Sequence, residues 1–91
     1  MAPDLIERLA ESTVVDLSDV ELDVLLGGGE VVRQAETGLA GAIRVLVWEG
    51  RVLVQEQTPG GERLVRELAS RDDADRFVDE RLAAYDRMWD G

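Results

Sequence analysis

The sequence predicts an α+β fold: an antiparallel β-meander of three or four strands packed against a long C-terminal helix, with one or two short helices before the sheet. Three observations carry that reading. "IRVLVWEGRVLVQEQ", residues 43–57, holds two strand-like runs of alternating side chains joined at Glu49 and Gly50. Ala74, Phe77, Val78, Leu82, Tyr85, Met88 and Trp89 recur at three- and four-residue spacing, which is one helical stripe. Between them, glycine and proline break the chain at Gly27, Gly28, Gly29 and again in "TPGG". At 91 residues the chain is expected to form a single domain, residues 1–91. A chain of this size buries only about 60–65% of its unfolded surface, so its stability is modest.

Each element has a local cause. "APDLIERLAES" opens with Pro3, which a first helical turn tolerates, and carries Leu5, Ile6 and Leu9 on one face. "TVVDL" reads as a brief extended link or edge strand. Ser18 and Glu21 stand at capping-box spacing before Val20, Val24 and Leu25, predicting a helix over about 19–26 that the three glycines end. "EVVRQAE", residues 30–36, reads as a strand, followed by a loose connection through Thr37, Gly38, Ala40 and Gly41.

A two-residue turn at Glu49 and Gly50 sets Val47 opposite Val52 and Val45 opposite Val54, with Ile43 on the same face. "ERLVREL", residues 62–68, is read as the next antiparallel strand, although Leu64, Val65 and Leu68 also fit a helix. Ser70 and Asp73 then cap the C-terminal helix, and Asp72, Asp73 and Asp75 lie at the positive end of its dipole. Arg71, Arg76, Glu80 and Arg87 mark its wet side.

Composition narrows the chemistry. The chain has 20 acidic and 10 basic residues, a net charge of −10, and no cysteine or histidine. Every basic residue is arginine, and neither lysine nor asparagine occurs. No disulfide, thiol nucleophile or thiolate metal site is possible. The arginines are scattered among acids from Arg8 to Arg87, leaving no basic footprint for nucleic acid. No window approaches the roughly 18 uninterrupted apolar residues of a membrane helix. "MAPDLIERLAEST" lacks the basic start and apolar run of a secretory signal, so a cytoplasmic location is expected.

Such a balance arises either from a codon bias that favours arginine or from adaptation to molar salt, where the Debye length falls to about 3 Å and carboxylates cease to repel. The whole-chain composition resembles that of the small acidic proteins of halophilic archaea. The resemblance carries no motif and implies no activity. If it holds, the melting temperature rises between about 0.1 and 2 M KCl by the screening of 20 carboxylates. An unchanged melting temperature favours codon bias.

Candidate sites are few. "LLGGGE" lacks the strand-then-helix order and the Lys-Ser/Thr pair of a phosphate loop, and reads as a helix end. "SRDDAD" lacks the spacing of a calcium loop and reads as a helix start. Glu49, Glu56 and Glu67 lie on or near the sheet, where paired carboxylates would serve as acid and base or hold a divalent ion. Without histidine, lysine or cysteine, an enzymatic role is not expected, and no cofactor is implied.

The hairpin's second face is the main question. Arg44, Leu46, Trp48, Arg51, Leu53 and Gln55 lie opposite the valines, where a solvated sheet face would be polar. Either the N-terminal helices cover it, or a partner does, or it binds a ligand. Leu46, Trp48, Arg51 and Leu53 form the interface candidate, since tryptophan beside arginine is the mix enriched in interface anchors. The expected function is therefore a non-enzymatic protein-interaction domain, joined to itself as a homodimer or to another protein. The alternative is a small-ligand domain with a pocket between sheet and C-terminal helix, near Tyr85 and Trp89.

Overall fold

The structure is a computed structural model that describes the backbone of residues 2–38 and 41–90, and the side chains of residues 5–37 and 41–87. Helix α1 (Ala2–Glu11) leads through β1 (Val15–Asp16) to α2 (Asp19–Gly28). The chain then runs through β2 (Glu30–Gly38), β3 (Gly41–Trp48), β4 (Arg51–Gln57) and β5 (Arg63–Leu68) into α3 (Arg71–Asp90). The sheet is antiparallel, in the order β1-β5-β4-β3-β2. The meander therefore has four strands, and the two-residue β1 adds a fifth beside β5. Residues 63–68 are strand rather than helix, because Val65 pairs with Gln55 on one side and Val15 on the other.

Local chemistry sets the element ends. The full capping box forms at α2, with the Glu21 amide donating to Ser18 Oγ at 3.2 Å and the Ser18 amide donating to Glu21 Oε1 at 3.0 Å. At α3 the Asp73 amide donates to Ser70 Oγ at 3.1 Å. Strand β2 runs on through Thr37 to Gly38, which pairs with Gly41, so the expected loose connection is a continued ladder; its Ala40 lies outside the described residues.

The β3–β4 register is as the pattern requires, Val47 facing Val52 and Val45 facing Val54. Its turn puts both Glu49 (φ 51°) and Gly50 (φ 72°) in the left-handed region, the geometry of a type I′ turn. Glutamate is strained there. Glu49→Asn is expected to stabilise the chain by about 0.5–1 kcal/mol, read as a rise in the denaturation midpoint with an unchanged slope.

Of the three glycines, Gly29 is the one held by size. Helix α2 continues through Gly27 and Gly28, and Gly29 follows in an extended conformation (φ −117°, ψ 172°). A Cβ on Gly29 would stand 3.0 Å from Leu46 Cδ1 and 3.2 Å from two backbone oxygens. The helix end thus lies directly on β3, and a larger residue would lift it.

Two apolar cores result, one on each face of the sheet. Leu5, Val15, Leu17, Leu22 and Leu25 close over Leu46, Trp48, Leu53 and Val65. On the other face Ala74 and Val78 of α3 pack on Ile43, Val45 and Val54, with Phe77 and Leu82 at the margin. Val47 was expected in this second core but is 37% exposed. The strand's alternation continues to the turn, whereas the apolar cluster beneath α3 does not include that position. Arg71, Arg76, Glu80 and Arg87 are exposed as the helix pattern requires, while the Met88 and Trp89 side chains lie outside the described residues.

Candidate functional site

Along β4 successive side chains face opposite ways, so the phase that sends Val54 toward α3 also sends Glu56 there. Along α3, Phe77, Arg81 and Tyr85 are spaced by four residues and share a face. These two periodicities place a carboxylate beneath a row of aromatic and basic groups. Glu56 is 1% exposed, the one buried acid among the described residues. Its Oε2 accepts from Arg81 Nη2 at 2.7 Å and from the Tyr85 hydroxyl at 2.5 Å. From β5, Arg66 brings Nη2 to 4.0 Å from Glu56 Oε1.

The arginines also use the rings. The Arg66 guanidinium lies 4.5 Å from the Phe77 centroid, and Arg81 lies 5.6 Å from that of Tyr85. Two guanidinium groups therefore meet one carboxylate, leaving one positive charge in excess within a strongly acidic chain. One donor and one acceptor remain unspent: Arg81 Nε and Glu56 Oε1 are both buried without a hydrogen-bond partner among the described residues. Beside them a cleft of about 230 Å³ is lined by Pro59 from the β4–β5 turn and by Arg81, Ala84 and Tyr85.

Proton affinities follow from these contacts. The hydrogen bond to Glu56 raises the Arg81 pKa, whereas burial lowers that of Arg66. Burial, then the hydrogen bond to Glu56, raises the Tyr85 pKa above its ordinary 10.0. A raised folded-state pKa means that the unfolded chain releases this proton first. The stability tied to the neutral phenol is therefore complete below pH 10.0 and declines as pH climbs toward the folded value. Tyr85 is the only tyrosine, so phenolate absorbance reports it alone. Native protein is expected to titrate above the denatured chain, and Glu56→Gln to narrow the difference.

The predicted sites separate under this geometry. Leu46 and Leu53 are 0% exposed and Trp48 5%, all beneath α1 and α2 of the same chain. The assignment of this face to a partner is corrected: the N-terminal helices cover it, with Leu5, Leu22 and Leu25 closing over it and the end of α2 held tightly on Leu46 at Gly29. Arg51 is half-buried and paired with Glu67 at 2.9 Å. Gln55 is fully buried, its Oε1 accepting from Arg44 at 2.6 Å.

The carboxylates do not converge. Glu49 is in the exposed turn, Glu67 faces the N-terminal layer with Arg51, and Glu56 faces α3. Among the described residues no group of three or more acids is arranged to hold a metal ion. The acids of "SRDDAD" serve α3 and its packing: Asp73, whose amide Ser70 caps, accepts from Arg76 at 3.4 Å, and Asp75 joins Arg33 of β2 at 3.2 Å. Of the pocket pair, Tyr85 lines the cleft, and Trp89 lies outside the described side chains.

The sequence alone set Glu56 with Glu49 and Glu67 as carboxylates on or near the sheet and did not single out Arg66 or Arg81. The available signal was phase. In "RVLVQEQ" Glu56 continues the Val52, Val54 positions, where an acid needs a partner if the face is buried. No helix among the described residues is long and apolar enough to cross a membrane. The chain matches no protein-family model, no curated protein and no solved structure.

Proposed function

We propose that this chain is a non-enzymatic small-ligand-binding domain of a high-salt cytoplasm, with its site at the cleft between the β4–β5 turn and α3. The observation that carries the reading is the Glu56, Arg66, Arg81, Tyr85 cluster, which holds a buried carboxylate behind Arg81 and Tyr85, two of the residues that line a largely apolar cleft. Ligand sites combine apolar walls with a few fixed polar groups in this way. The exposed acids, Glu56 being the only buried one described, support the high-salt setting.

The test is native mass spectrometry of protein purified from its source cells in high salt. A retained small-molecule mass, lost when Ala84→Trp fills the cleft, is the expected result. The bare chain mass in both forms would count against the reading.

A second reading, a protein-interaction domain, draws on Val20 and Val24, which are 65% and 48% exposed and one helical turn apart on α2. It requires a stable complex, and an α2-mediated homodimer would be lost on Val20→Asp. Sedimentation equilibrium in high salt distinguishes it, since the ligand reading expects a monomer.

A further inference from the structure

We infer that the cleft takes a small monocarboxylate with a flat apolar body, bound by its carboxylate to Arg81; this rests on the ligand-binding reading above. Charge selects the sign. Arg66 and Arg81 converge on the single carboxylate of Glu56, which stands 4.0 Å from Arg66 and 2.7 Å from Arg81, so two positive charges share one negative one. An added anion relieves that excess, whereas a cation adds to it. The Arg66 guanidinium makes no hydrogen bond among the described residues, so its charge acts through space rather than being spent on a second acceptor.

Donor geometry selects carboxylate over phosphate. Arg81 commits Nη2 to Glu56 and its Nε is buried, whereas Nη1 makes no hydrogen bond among the described residues on a side chain 39% exposed, so one terminal nitrogen is left for a ligand oxygen. A monoanion matches one excess charge and one free terminal nitrogen. A phosphate dianion would bring a second charge and further acceptor oxygens into a wall that offers Pro59, Ala84 and the Tyr85 ring. Those three surfaces suit a planar apolar group, which stacks on the ring while the carboxylate turns inward. Size follows from volume: about 230 Å³ lies below the roughly 300–1,000 Å³ of drug-sized sites, so the ligand is of benzoate scale.

Benzoate, benzyl alcohol and benzylamine are matched probes for this inference, titrated into isotope-labelled protein at one fixed KCl concentration while backbone amide shifts are followed. Benzoate is expected to give saturable shifts at Arg81, Ala84 and Tyr85, with at least about tenfold weaker response to the alcohol and none to the amine. A tenfold ratio corresponds to about 1.4 kcal/mol. Ala84→Glu, on the cleft wall but outside the Glu56 hydrogen bonds, should abolish the benzoate shifts while circular dichroism shows the fold retained. If the alcohol or amine binds at these amides as tightly as benzoate, the cleft reading survives and the carboxylate inference fails. Saturable benzoate shifts that persist in folded Ala84→Glu overturn the inference by placing the anion elsewhere. If none of the three probes gives a saturable shift, both readings fail.

Discussion

Trp48→Asp is expected to unfold the chain rather than to split an assembly. Trp48 is 5% exposed and sits in the core closed by Leu5, Leu22 and Leu25. Truncating a buried aromatic costs about 3–5 kcal/mol through lost burial and the cavity left behind. A carboxylate in the same place adds the cost of desolvating a charge with no partner. A domain of this size holds only about 5–15 kcal/mol of net stability, so the substitution consumes most or all of it. Circular dichroism with sedimentation equilibrium on both forms checks this. The wild type should be a folded monomer and Trp48→Asp an unfolded one. A folded Trp48→Asp monomer derived from a wild-type dimer would show that a second copy, not α1 and α2, covers the face. Val20→Asp is the control: at 65% exposure it should move stability by no more than about 0.5 kcal/mol.

Glu56→Leu should be the next most damaging substitution, although it replaces a charge with an apolar group in a buried position. Removing one member of a buried ion pair costs about 3–5 kcal/mol, because the partner keeps its charge and loses its compensation. Here Arg81 retains 39% side-chain exposure and Arg66 21%, so both can turn partly to water, and the cost falls toward the lower end, about 3 kcal/mol. The Tyr85 hydroxyl also loses its acceptor. Glu56→Gln keeps an acceptor for Tyr85 and should cost less, about 1–2 kcal/mol. The pair Glu56→Leu with Arg81→Leu separates charge from packing in urea melts. If the uncompensated guanidinium causes the loss, the double variant is more stable than Glu56→Leu alone. A double variant less stable than either single change would assign the loss to packing.

Much of the build was legible in the chain because it depends on neighbours in sequence. The capping box at Ser18 and Glu21, the hairpin register at Val45 and Val54, and the apolar stripe from Ala74 to Tyr85 each follow from spacing alone. Periodicity states which residues share a face. It does not state what lies against that face, and the errors gather there: Val47 kept the core phase but not the core, and Leu46, Trp48 and Leu53 had an apolar face whose cover was undecided.

The sequence by itself determined the α+β class, the strand pairing of the central hairpin, the acidic charge and the absence of thiol or imidazole chemistry. Tertiary structure alone decided that α1 and α2 fold over one face while α3 takes the other, and that β1 returns to pair with β5 across nearly fifty residues. It alone made Glu56 a buried acid, by bringing Arg66, Arg81 and Tyr85 from two other elements to meet it. The physical reason is range. Hydrogen-bond capping and side-chain phase act over two to four residues, whereas desolvation and the pairing of charges depend on which surfaces meet in space, and only the folded chain sets that.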